Sequence, residues 1–458
     1  MSSADGPARI AALETWIREH GGRICEAASV VEADGYRGVF AHEGLPADTD
    51  FCRIPLKLLI TESLAEASLP FGPELRMAAE QLMPSAAGLL LLTALLLQDS
   101  APQAAKAPLG TGAQSFFAPY YQALPVEVQH MPAFWPAEHW LHASLRGSHL
   151  ERLVKARRHS LGLEFSLLQS QAGKHLSVEW EDFLWCRCMV SSRAYSLPVD
   201  GSSHQRCLVP WADLLNHGQG DHLLARYGFQ SARDEDEGCP GHFLMRITRP
   251  VAEGQEVFQT YGDKTNPTLF VDYGFCLQQG RSITSVNVIP PTCDEHSTAV
   301  EREAHAKFWQ LAGGRPGRRT LTVEVDESGW RRLLPLLRAA NAGEGAACEG
   351  PCDVRLETLA WAAFRKLCQE GVMRLTSGED VLRSQQPSAW EILAAETCAQ
   401  ALQEEIALLR FFMSLGDRAL CCLEGSTAPS SPEESRLSQE ASFSEYLTQL
   451  EQLRSTTT

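Results

Sequence analysis

Short strands occur at two places far apart in this chain, and that separation constrains its fold more than any other feature. Residues 36–41 (Tyr36-Arg-Gly-Val-Phe-Ala) and 49–56 read as strands, since β-branched and aromatic residues stand there between turn residues. Residues 205–285 return to the same pattern of short strands and turns. Between these blocks, from about 72 to 190, the periodicity is helical, and beyond about 290 it turns helical again.

Within the helical blocks the apolar positions are specific. Ile10, Leu13, Trp16 and Ile17 share one face of a helix expected over 9–19. Trp180, Phe183, Leu184 and Cys188 lie near one face of the stretch 179–189. Cys398, Leu402, Ile406, Leu409 and Met413 recur every three or four residues, the stripe of a core-facing helix. The longest apolar run, 86–97, is interrupted only by Gly88 and Thr93. It has about half the length of a membrane span and reads as a buried helix. Residues 424–442, rich in Ser, Pro and Glu, are expected to form a disordered loop before a last helix over 443–453.

A formal charge of −17 and an isoelectric point near 5.3 argue against nucleic acid as the main partner, because phosphate binding needs a basic footprint. No membrane partner is expected either. The fourteen cysteines include no Cys-x-x-Cys pair, so no zinc site is expected and a reducing compartment is the simplest reading. The loop His217-Gly-Gln-Gly-Asp-His222 offers two imidazoles and one carboxylate, too few for a metal centre. The polar N-terminus, with acids at Asp5 and Glu14, carries no secretory signal. A soluble, cytoplasmic monomer is the expectation, with an organelle as the alternative address. Gly110-Thr-Gly112 follows a proline-rich gap and no strand, which removes the case for a dinucleotide-type fold.

Two segments carry the chemistry: Leu208-Val-Pro-Trp-Ala-Asp-Leu-Leu-Asn-His217, and a tyrosine stretch with Tyr261-Gly-Asp-Lys-Thr-Asn266 ahead of Tyr273-Gly-Phe275. In this order they resemble the two halves of the active site of SET-domain protein methyltransferases, in particular the Rubisco large-subunit lysine methyltransferase family. The resemblance implies an α+β fold: a SET-domain β-fold with a pseudo-knot and a helical insertion, followed by an all-α C-terminal domain. It divides the chain into 1–70 (N-terminal helix and first part of the SET domain), 71–195 (helical insertion), 196–287 (C-terminal part of the SET domain) and 288–458 (helical, substrate-binding-like domain). It implies S-adenosyl-L-methionine as cofactor and a protein as substrate.

Roles follow residue by residue. Tyr261 matches the catalytic tyrosine, and Tyr273 is expected to line the substrate channel. Asn216 and His217 match the pair that holds the adenosine end of the cofactor, and Arg193, in Ser192-Arg-Ala-Tyr195, is expected to pair with its carboxylate. Asp213 is expected near the substrate amine, or else as a buried hydrogen-bonding acid. Gly35, Tyr36 and Arg37 fall where the family lays a strand beside the cofactor, although relatives often begin that strand with an acid. Asn266 is expected to cap the helix begun by Pro267.

The chemistry requires such residues. A lysine substrate must shed a proton, because an ammonium has no lone pair, and a narrow apolar channel favours the neutral amine. A tyrosine hydroxyl can align that amine by accepting its hydrogen bond. Non-histone lysine is the expected acceptor. Histidine as acceptor, and a SET-like module that binds protein without turnover, stand as alternatives.

Overall fold

The computed structural model describes residues 5–33, 36–104, 115–126, 128–173, 175–199, 203–231, 241–278, 285–288, 321–324, 329–342, 350–427 and 441–457. The chain divides into two compact units, the first made of 1–128 and 157–264, the second of 129–156 and 265–458.

In the first unit the helix Asp5–Glu19 buries Ile10, Leu13, Trp16 and Ile17, as the periodicity requires. The strands are β1 (Arg23–Ile24), β2 (Ala28–Ala33), β3 (Tyr36–Ala41), β4 (Asp50–Pro55), β5 (Ile60–Thr61), β6 (Tyr195–Leu197), β7 (Gln205–Leu208), β8 (Ala225–Ser231) and β9 (Gly241–Ile247). They form sheets of order β1-β4-β9-β8, β5-β7-β6 and β2-β3. β4 pairs antiparallel with β9, and β5 with β7, so both larger sheets join strands from before and after the helical block. Non-local pairing of this kind is what the two distant strand blocks demand.

The helical block supplies Gly72–Leu82, Ala87–Ala104 and Trp180–Arg193 to this unit. Leu90, Leu91, Leu92, Leu95, Leu96 and Leu97 are all buried in the second of these, which explains the apolar run without a membrane. Among the described residues no helix is long and apolar enough to cross one.

The second unit is built on a helical hairpin, Val354–Ser384 against Ala389–Glu424. The turn between them is fixed at Ser388, whose side chain and Glu391 form a capping box. Cys398, Leu402, Ile406 and Leu409 are buried and Met413 packs against the same core, so the stripe holds. Trp135, Leu141, Leu145 and Leu150 join that core from one side of the sequence, and Phe270 and Val271 from the other. For this reason 129–156 and 265–287 belong with the helical unit, a division that differs from boundaries at 71, 196 and 288. A second difference is the antiparallel pair of β10 (Ser285–Val288) with β11 (Leu321–Glu324): the region beyond 290 is not wholly helical. Alternation across Leu321-Thr-Val-Glu324 is the strand signal there. The last helix spans Ala441–Thr457, and the loop expected at 424–442 lies largely outside the described residues.

Candidate active site

Two backbone segments of the first unit set the site. Residues 256–259 run between β3 and 216–218: Val257 N–H donates to Val39 O (2.8 Å) and Gln259 N–H to Asn216 O (2.9 Å). A parallel bridge joins His217 to Gln259. Tyr261 is thereby delivered beside the Asn-His pair. Tyr261 N–H donates to His217 Nδ1 (3.0 Å), and the two rings stack at 5.1 Å and 18°. Burial depresses the His217 pKa, which keeps the imidazole neutral with Nδ1 as acceptor.

The turn that carries Asp213 is strained. Trp211 sits at φ 71°, a backbone region that side-chain-bearing residues rarely adopt, yet its ring is fully buried. It is held by packing against Phe51 and by a hydrogen bond from Nε1 to Glu14 Oε1 (3.1 Å). The turn Ala212–Leu214 follows, with Asp213 buried at 5% exposure. Tyr120 OH donates to Asp213 Oδ2 (2.8 Å), and Arg193 donates to Asp213 O (2.9 Å) and Oδ2 (3.3 Å). Burial is the largest influence and opposes the Arg193 charge, but Asp213, Tyr120 and Tyr261 together exceed it and the Arg193 pKa is raised. Asp213 Oδ1 and Arg193 Nε are both buried and meet no protein hydrogen-bond partner among the described residues. Buried polar groups are rarely left so. A free carboxylate oxygen and a free guanidinium N–H on neighbouring side chains suit a group bearing both charges.

Asn216 faces the first strand pair. Its two amide hydrogens lie within reach of Arg37 O (2.7 Å), Glu256 Oε1 (2.8 Å) and Tyr36 OH (3.1 Å), and Tyr36 OH itself donates to Glu256 Oε2 (2.6 Å). A Cβ on Gly38 would push against the Glu256 carboxylate and disturb this knot, which favours glycine there. Arg37 donates to Ala123 O (2.8 Å); burial, then repulsion from Arg193, lowers its pKa to about 10. It keeps its charge at neutral pH, a second guanidinium near Asp213. Gly35 lies outside the described residues.

Tyr261 OH donates to Leu215 O (3.1 Å). Burial pushes its pKa to about 12, with Arg193 working against the rise. It is therefore a neutral hydroxyl whose single proton is committed, leaving oxygen lone pairs to accept.

Tyr261, Asp213, Arg193, Asn216, His217, Tyr36 and Arg37 thus share one unit. Tyr273 belongs to the other, at the end of the helix Asn266–Tyr273, with its ring 6.2 Å from Phe275. Gly274 follows in the left-handed conformation (φ 79°) that ends the helix. Asn266 does not cap this helix. Thr265 holds the cap position, and Asn266 bonds Leu277 N (2.9 Å), Leu277 O (2.9 Å) and Glu404 Oε1 (2.6 Å) instead, tertiary partners that replace the local cap. The imagined metal loop spends its acid elsewhere: Asp221 pairs with Arg249 (3.0 Å), which also grips Gly220 O and Leu223 O. Sequence reasoning missed Glu256, Gln259 and Tyr120. Gln259 had a signal, a polar residue inside a strand-like run two positions before Tyr261.

No family model matches the chain. By sequence it is similar to the ribosomal lysine N-methyltransferase set11 of Schizosaccharomyces pombe, 25% identical over 169 residues, which cover 36% of this chain and 40% of that protein. It is 30% identical over 168 residues to SET domain-containing protein 4 of Mus musculus (34% of each chain), and 25% identical over 173 residues to the N-lysine methyltransferase SETD6 of the same species (35% and 34%). The matches thus span two-fifths or less of the relatives' length. By structure it is similar to the SET domain of LSMT bound to lysine and AdoHcy, with a TM-score of 0.64 over 95% of this chain and 96% of that one at 17% identity. Rubisco LSMT bound to AdoMet gives 0.62 over 94% and 96% at 18% identity. The chain therefore has the fold of the SET-domain protein LSMT.

Proposed function

We propose that this chain is an S-adenosyl-L-methionine-dependent protein-lysine N-methyltransferase acting on a non-histone protein. The observation that carries the reading is the open ion cluster of Arg193 and Asp213 in the same unit as a neutral, proton-committed Tyr261. The unpartnered Arg193 Nε and Asp213 Oδ1 fit the carboxylate and ammonium of the cofactor's methionine end, which moves Asp213 from the place expected for it beside the substrate amine to the cofactor. Tyr36, Arg37, Asn216 and His217, with Gly35, are the residues that would hold the rest. When bound, the cofactor supplies an electrophilic methyl carbon on a sulfonium.

The chain's own residues do the positioning. Tyr261 accepts a hydrogen bond from the acceptor amine, since its own proton points to Leu215 O. That fixes the nitrogen lone pair for in-line displacement, where alignment accounts for much of the barrier reduction. Its pKa near 12 keeps it from acting as a tyrosinate base at neutral pH. A buried setting disfavours an ammonium, so the amine is held neutral. Tyr273 would line the acceptor channel.

Lysine is favoured over histidine by the names of the relatives, and by Tyr195, whose ring is wedged edge-on to Tyr227 (4.8 Å) and Phe243 (5.2 Å) and offers a bulky wall. The acidic net charge supports a protein partner and not a nucleic acid. A cytoplasmic monomer completes the proposal.

Label transfer from methyl-labelled S-adenosyl-L-methionine into a hypomethylated lysate tests it. A discrete labelled band that fades with Tyr261→Phe is expected, followed by mapping of the methyl to lysine. Cofactor binding without any band would favour the non-catalytic module.

A further inference from the structure

Gln259 lies at the centre of the site, and its side chain is spent entirely on other site elements. It is 1% exposed. Nε2 donates to Ala212 O (3.0 Å) and Leu215 O (3.2 Å), the two ends of the turn that carries Asp213. Tyr195 OH lies 2.9 Å from Gln259 Oε1 and 2.8 Å from Ala212 O. A hydroxyl has one proton to give. Ala212 O is already served by Nε2, so directing that proton to Oε1 leaves every polar atom of the buried amide paired. The Gln259 backbone meanwhile donates to Asn216 O (2.9 Å) and accepts from Gly218 N–H (2.7 Å).

Leu215 O links this arrangement to the chemistry. It accepts from Gln259 Nε2 and from Tyr261 OH (3.1 Å), which occupies both of its lone pairs. One carbonyl therefore couples the placement of the Tyr261 hydroxyl to the Gln259 amide.

We propose that Gln259 is a positioning residue: with Tyr195 it clamps the turn 212–215, fixes where Leu215 O stands, and so aims the Tyr261 hydroxyl. The inference rests on the methyltransferase reading for its effect on rate, but not for its effect on Tyr261. Leucine at 259 removes the clamp and leaves the backbone pairing with Asn216 and Gly218. Glutamate keeps the size. Its neutral form supplies one O–H donor, and its carboxylate supplies none and repels both carbonyls. Burial favours the neutral form.

The test uses the full chain with Gln259→Leu and Gln259→Glu, each also prepared with fluorotyrosine so that Tyr261 is seen by fluorine NMR, assigned with Tyr261→Phe. Sinefungin affinity is measured by calorimetry, and label transfer into the hypomethylated lysate at saturating cofactor. In Gln259→Leu, transfer should fall about tenfold to a hundredfold, the usual cost of misplacing a catalytic group, and sinefungin affinity by a clearly smaller factor, since the clamped turn also carries Asp213. The Tyr261 resonance should move. If Gln259→Leu does not fold, Gln259→Glu decides: its transfer rate relative to wild type should rise as pH falls, because protonation restores a donor. Unchanged transfer, an unmoved Tyr261 resonance, or loss of affinity and transfer by the same factor would overturn the proposal. If the wild type transfers no label, the enzyme reading fails by itself, and the Tyr261 resonance still judges the clamp.

Discussion

Each unit of the molecule holds a buried cluster of one arginine, one carboxylate and one tyrosine, and the two are finished differently. In the helical unit Arg338 and Tyr446 close on Glu357. Arg338 Nε stands 2.7 Å from Oε1; Arg338 Nη2 (3.1 Å) and Tyr446 OH (2.6 Å) both donate to Oε2, and Cys352 N–H reaches Oε1 (3.3 Å). Both carboxylate oxygens are used. In the first unit Arg193 and Tyr120 share Asp213 Oδ2, while Oδ1 meets no partner among the described residues, so the two clusters differ at the carboxylate. Burying ions is costly and is offset only when the remaining valences are satisfied. The closed cluster is a structural device. The open one keeps its valences for something else, and the strained Trp211 beside it is the kind of local cost found at functional sites.

Substitutions can break this contrast. Arg338→Leu should cost about 3–5 kcal/mol of unfolding free energy, because it strands a fully buried Glu357, with sinefungin affinity of the folded fraction unchanged. Chemical denaturation and calorimetry check both halves. Tyr261→Phe should lower methyl transfer about a hundredfold or more while cofactor binding survives, as read by single-turnover label transfer. Equal loss of both would remove the aligning role. Arg193→Leu should weaken sinefungin binding about tenfold or more yet destabilise less than Arg338→Leu, since Asp213 keeps Tyr120 and only one of its oxygens was ever occupied. A larger stability loss at Arg193 than at Arg338 would contradict the contrast.

The smallest effect concerns Glu405, a buried carboxylate that accepts from His149 N–H (2.9 Å) and Leu150 N–H (3.2 Å). Burial lifts its pKa to about 7, opposed by those N–H groups and by Arg374 and Arg152. With the folded value above the unfolded one, its contribution is present below the unfolded carboxyl value and is lost as pH rises through about 7. Glu405→Gln lacks that loss, so its melting temperature relative to wild type should climb between pH 5 and pH 8, by the equivalent of roughly 1–3 kcal/mol. His149, depressed to about 4 by burial, contributes an opposite slope that both proteins share. A difference flat with pH would show that Glu405 does not titrate there.

Much of the architecture was legible because it is local. Ile10, Leu13, Trp16 and Ile17, or Cys398 through Leu409, announce their helices by spacing alone. The motif segments placed Asp213, Asn216, His217 and Tyr261 in one unit because each motif carries its own backbone geometry. What stayed hidden depends on partners distant in sequence. Asn216 meets Tyr36 and Arg37, whose strand lies far away, and nothing about Glu256 or Tyr120 alone points to Asn216 or Asp213. Asn266 misled for the same reason: Asn before Pro is a cap signal, but Leu277 and Glu404 outbid it.

The most direct measurement is calorimetric titration of wild type and Arg193→Leu with S-adenosyl-L-methionine. One-to-one saturable binding by the wild type, weakened about tenfold or more in the variant by loss of a charge-assisted contact, is the predicted result. No binding by the wild type, or equal affinity for both, would contradict the assignment of the open cluster to the cofactor.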